Sequence, residues 1–78
     1  MHKSPSGVES AVLRELLTSF RQKQNIHQSA LAQRLGRHQS YVSKYEIGER
    51  RLNFIEVIEI CSALNINPHQ VLDEYLEK

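Results

Sequence analysis

Five stretches of this 78-residue chain repeat apolar side chains at three- and four-residue spacing, separated by polar breaks that contain Gly, Asn or Pro. In the first, Val12, Leu13, Leu16, Leu17 and Phe20 form the stripe of an amphipathic helix. Ser6-Gly7-Val8-Glu9 ahead of it has capping-box spacing, in which serine and glutamate each satisfy a free backbone N–H, so helix 1 is expected from there to about Gln24, with Asn25 ending it. Leu31, Ala32 and Leu35 predict a short helix 2 over about Gln28 to Leu35, stopped by Gly36. Val42 and Tyr45 place helix 3 at about Gln39 to Ile47, before Gly48. Past a polar, basic loop, Phe54, Val57, Ile58, Cys61 and Leu64 predict helix 4 over about Asn53 to Leu64. Pro68 suits the first turn of a helix 5 that runs to Leu76. No segment alternates as a strand does, so the expected class is all-α, a five-helix bundle.

Helices 2 and 3 are joined by three residues that include a glycine, the spacing of a helix-turn-helix whose second helix can enter a DNA major groove. Ala32 is small enough for a close crossing, and Leu31, Leu35, Val42 and Tyr45 are the apolar positions that lock it. On a helical wheel started at Gln39, Val42 and Tyr45 fall near about 240° to 300°, the side expected to be buried. Gln39, Ser40, Ser43 and Lys44 share a polar face between about 0° and 140°, and Tyr41 lies at the border, near about 200°.

The chain has room for one domain, expected at 8–78 behind a flexible tail at 1–7. Its single cysteine, Cys61, excludes an intrachain disulfide and reads as a small buried hydrophobe rather than a nucleophile. His2, His27, His38 and His69 are too scattered for a metal site. No catalytic set emerges, so neither an enzyme nor a cofactor is expected. The N-terminus has no apolar run behind its charge, which argues against a signal or membrane anchor and for the cytoplasm. A net charge of +1 does not by itself suggest nucleic acid; the positive charge is concentrated in the middle third, a pattern that reads equally as a solvated face or a binding surface. Residues 1–33 carry four basic and two acidic side chains, residues 34–51 five and two, and residues 52–78 one and five.

The run from Gln28 through Ser-Ala-Leu-Ala-Gln-Arg-Leu to Gly36, then from Gln39 through Ser-Tyr-Val-Ser-Lys-Tyr-Glu-Ile to Gly48, resembles the Cro/C1 (Xre) family of phage and bacterial repressors, with a lambda-repressor-like fold. The resemblance covers residues 8 to 76 and implies double-stranded DNA as the partner. It places Gln28 against a phosphate at the start of helix 2, bracing Gln39, and Gln39 against adenine N6 and N7. Ser40 and Ser43 follow as base contacts without a preferred base; Lys44 stays open between guanine and a phosphate. Arg50 and Arg51 in the loop, Arg37 and His38 in the turn, and the Tyr41 hydroxyl are the implied backbone contacts, each also readable as an ordinary solvated or packing side chain. Arg37 and His38 depart from the commoner apolar and Ser/Thr pair, so an unusual cap for helix 3 is expected. Arg21 and Glu46 match positions that form an ion pair between helices 1 and 3.

Ile55 and Ile60 fall outside the central stripe of helix 4 and widen it to roughly 220°. With Val71, Leu72, Tyr75 and Leu76 they suggest a homodimer through helices 4 and 5, and hence an inverted-repeat operator. No small-molecule ligand is implied. The alternative expectation is a protein-interaction adaptor or antitoxin component built on the same scaffold, favoured by the modest net charge.

Overall fold

A computed structural model describes residues 8–77 and shows five helices: α1 (Val8–Lys23), α2 (Gln28–Leu35), α3 (Gln39–Glu46), α4 (Phe54–Leu64) and α5 (Pro68–Leu76). No strand occurs among the described residues, as the periodicity implies. The expected tail at 1–7, and with it the Ser6 half of the capping box, lies outside them.

The starts and stops are local chemistry. α1, α2, α3 and α4 end on a residue in the left-handed region, Asn25, Gly36, Gly48 and Asn65. At each end the next N–H reaches back five residues, as in Ile26 to the Arg21 carbonyl at 3.2 Å and Arg37 to the Ala32 carbonyl at 2.9 Å. After α1 and α4 the following residue is Ile26 or Ile66, whose side chain packs on the core. α3 is capped by His38, whose Nδ1 accepts from the Ser40 N–H at 3.2 Å. Imidazole here replaces the usual hydroxyl or carboxylate. Asn53 is extended, at φ −88°, and so precedes α4 rather than opening it. Its side chain and that of Glu56 form a reciprocal capping box.

The core gathers the apolar faces of all five helices: Leu17, Leu31, Ala32, Val42, Tyr45, Ile60, Cys61, Leu64 and Val71. Ala32 is buried where α2 passes its neighbours, and Cys61 is fully enclosed, which pushes its thiol pKa up and leaves it inert. The Tyr45 hydroxyl is buried without a hydrogen-bond partner among the described residues. Long side chains tie the end of α4 to the turn after α1 and to α2: Gln24 donates to the Leu64 carbonyl at 2.8 Å and Arg34 to the Ala63 carbonyl at 2.9 Å. These carbonyls have no intrahelical partner.

The wheel misplaces Ile60, which is completely buried. α4 packs against α1, α2 and α5, so more than one of its faces is interior. The surplus apolar surface consists instead of Phe54, Ile55, Leu72 and Leu76, with Ile47 at the end of α3.

Candidate nucleic-acid interface

α3 is held by its buried side, Val42 and Tyr45, and presents Gln39, Ser40 and Lys44 to solvent with Ser43 half-buried between them. Each flank of this polar face is braced by one carboxylate.

On the first flank Glu46 Oε2 accepts from Arg21 Nε at 2.7 Å, and Oε1 from Arg21 Nη2 at 3.0 Å and Gln28 Nε2 at 2.8 Å. Arg21 Nη1 donates to the Ile26 carbonyl at 2.7 Å, so the guanidinium is fixed from two sides. Both members of the ion pair are at least nine-tenths buried. A carboxylate only accepts, so Gln28 must turn its NH2 towards Glu46 and its Oε1 towards Gln39. Gln39 then donates to Gln28 at 3.0 Å. What remains to the exposed Gln39 amide is one N–H and its oxygen, a donor and an acceptor. Adenine's N7 and N6 present the complementary pair. His27, before α2, makes no side-chain cap among the described residues, so the first N–H groups of α2, beside Gln28, lack the side-chain acceptor that caps α3 and α4.

On the second flank Glu56 accepts from Arg50 Nη1 at 3.0 Å and Nη2 at 2.8 Å, and from the Asn53 N–H at 3.0 Å. These hydrogen bonds, Arg50's first, pull its carboxyl pKa down to about 2. Arg37 stands 3.8 Å from the same carboxylate. Both guanidinium groups lie over the Tyr41 ring, at 4.3 Å for Arg37 and 4.7 Å for Arg50. The ring is buried edge-on against Tyr45, with centroids 5.7 Å apart.

The structure thus gathers Arg21, Gln28, Gln39 and Glu46 into one relay, and Arg37, Tyr41 and Arg50 into one cluster. Lys44 and Arg51 stay exposed with no side-chain hydrogen bond among the described residues. Ser40 Oγ is 3.1 Å from His38 Nδ1, so serine and histidine are engaged in the cap of α3. Arg50 is not a free loop side chain, because Glu56 holds it. Glu56 is the one member of the site that sequence reading passes over, although Asn53-Phe54-Ile55-Glu56 carries a capping-box spacing in plain view.

Two short helices crossing at a left-handed glycine, with a braced polar face on the second, define a helix-turn-helix unit. A helix-turn-helix family model matches residues 17–71, and the chain belongs to that family, in its Cro/C1-type or XRE branch. An XRE-family like protein from Pseudomonas syringae pv. tomato str. DC3000 is 39% identical, over 88% of this chain and 84% of that one, with a TM-score of 0.84. The restriction-modification controller protein C.AhdI from Aeromonas hydrophila is 25% identical, over 81% of this chain and 96% of that one, with a TM-score of 0.74. The controller protein C.Esp1396I, a tetramer on its natural 35 base-pair operator, shares the fold at 15% identity, over 92% and 95% of the two chains, with a TM-score of 0.85. No curated protein matches the sequence. No helix among the described residues is long and apolar enough to cross a membrane.

Proposed function

We propose that this chain is a cytoplasmic transcription regulator, acting as a repressor or autoregulator, that reads duplex DNA with α3 and binds an inverted-repeat operator as a homodimer. The observation that carries this reading is the Glu46–Gln28–Gln39 relay, which aims a defined donor–acceptor pair outward before any DNA arrives. Preorganisation removes the ordering cost that a free glutamine meets on binding. Ser43 and Lys44 extend base contact along the face. Gln28 with the uncapped start of α2, the His38 cap, Tyr41, Arg37, Arg50 and Arg51 meet the backbone and set register. The chemistry is recognition, not catalysis. XRE-family and controller proteins at 25% identity or more support the regulatory reading.

Phe54, Ile55, Leu72 and Leu76 are each more than half exposed. Beside them a groove of about 540 Å³ runs between α1, α4 and α5, lined by Leu13, Leu52, Phe54, Val57, Val71 and Tyr75. A second copy covers this face, which sets two recognition helices about 34 to 36 Å apart for half-sites one turn apart. Selection of bound duplexes from a random library tests the whole reading. Wild type is expected to enrich an inverted repeat, and Gln39→Ala to lose preference at one base pair in each half-site. The absence of any enriched repeat would leave the adaptor alternative.

A further inference from the structure

We propose that Glu56, although acidic and beside the DNA-facing helix, strengthens DNA binding by positioning Arg50 to grip one backbone phosphate. The proposal rests on the DNA-binding reading above.

A guanidinium has five N–H groups. Arg50 Nη1 gives one to Glu56 Oε1 at 3.0 Å and one to the Arg51 carbonyl at 3.2 Å, and Nη2 gives one to Glu56 Oε2 at 2.8 Å. The two left over among the described residues are Nε–H and the second N–H of Nη2. They lie on one edge of the group, parallel, in the fork that fits two oxygens of a phosphate. The occupied edge is anchored to something rigid, since Glu56 is itself tied to the Asn53 N–H in the capping box of α4. The face of the group rests on Tyr41. Tyr41 belongs to α3 and lies next to Lys44 on the wheel, so the Arg50 guanidinium over its ring flanks the recognition face on the side away from Gln39. Arg37, over the same ring, adds a second charge, and the three groups together leave one positive charge for the incoming phosphate.

Charge counting and geometry therefore predict opposite signs. As a bare negative charge Glu56 would repel DNA, and removing it would tighten binding. As a positioning residue it holds the fork, and removing it loosens binding.

The experiment measures affinity and its salt dependence on a duplex that wild type has enriched from a random library. Glu56→Gln can still accept from the Asn53 N–H, and circular dichroism checks its folding. It is expected to bind on the order of tenfold more weakly. Its slope of log K against log salt should be shallower by about 0.9, one phosphate. In an Arg50→Ala background the same substitution is expected to cost nothing or to tighten binding. Arg50→Lys, which leaves Glu56 and the cap in place but removes the fork, is expected to weaken binding similarly and serves as the readout should Glu56→Gln not fold. Equal or tighter binding by folded Glu56→Gln, or wild-type affinity in Arg50→Lys, overturns the proposal. A wild-type chain that binds no duplex overturns the DNA reading itself, and the proposal with it.

Discussion

Gln28 donates to Glu46 at 2.8 Å, and through this bond a buried carboxylate settles which atoms Gln39 shows to solvent. Gln28→Ala frees the Gln39 amide to rotate. Discrimination at the base pair read by Gln39 is then expected to fall towards that of Gln39→Ala, within the ~1 to 3 kcal/mol of a bidentate contact. Competition between the selected site and its single-base variants measures this. Full discrimination in Gln28→Ala would show that the relay orients nothing.

Arg21 and Glu46 make the only buried ion pair between α1 and α3 among the described residues. Removing one partner strands the other away from water, so Arg21→Ala is expected to cost about 3 to 5 kcal/mol in denaturant unfolding. The double variant Arg21→Ala/Glu46→Ala should lose less than the sum of the single losses. An Arg21→Ala chain as stable as the parent contradicts this.

The two turn glycines predict different penalties. At Gly36, with φ +69°, an added Cβ meets nothing within 4 Å among the described residues, so Gly36→Ala should cost only the left-handed backbone, about 1 to 2 kcal/mol. At Gly48, with φ +88°, the Cβ lands 2.9 Å from Arg14 Cζ, so Arg14 must also move. Gly48→Ala is expected to lose more, and truncating Arg14 to Ala in that background should recover part of the difference in thermal unfolding.

Glu56 carries an acid signature. Its folded-state pKa, about 2, is below that of an unfolded glutamate, so its contribution is complete above the unfolded value and is lost as pH falls towards 2. Stability followed between about pH 5 and 2 should decline less steeply in Glu56→Gln than in wild type. Parallel curves would mean that the Arg50 contact gives no proton linkage.

Phe54 is 77% and Leu76 70% exposed in the single chain. Phe54→Glu with Leu76→Glu is expected to turn a sedimenting dimer into a monomer while leaving helical content unchanged, because neither side chain belongs to the core. A wild-type chain that is monomeric at micromolar concentration and above refutes the homodimer.

Helix number, order and most boundaries are legible in the sequence because the signals act over three to five residues. The apolar stripes, Pro68 at the start of α5, and the stops at Asn25, Gly36, Gly48 and Asn65 each need only their near neighbours. The same holds for Gln39, Ser40, Ser43 and Lys44, whose shared face follows from helical geometry alone. Ile60 escapes the wheel because a wheel shows one helix, whereas its burial depends on α1, α2 and α5 arriving on more than one side.

What each side chain on the interface is bound to is a different matter. Arg21 and Glu46 are 25 residues apart, and Gln28 and Glu46 are 18 apart. No local period encodes such contacts, and it was the family resemblance that suggested the ion pair. That Arg50 is held rather than free, and that Tyr41 lies beneath two guanidinium groups, follows only when α4 docks beside α3. The sequence by itself determined five helices and a polar recognition face, because hydrogen bonding and burial along a helix are local. The tertiary structure alone decided that one carboxylate braces each flank, because charge-assisted hydrogen bonds need directions and distances set by packing.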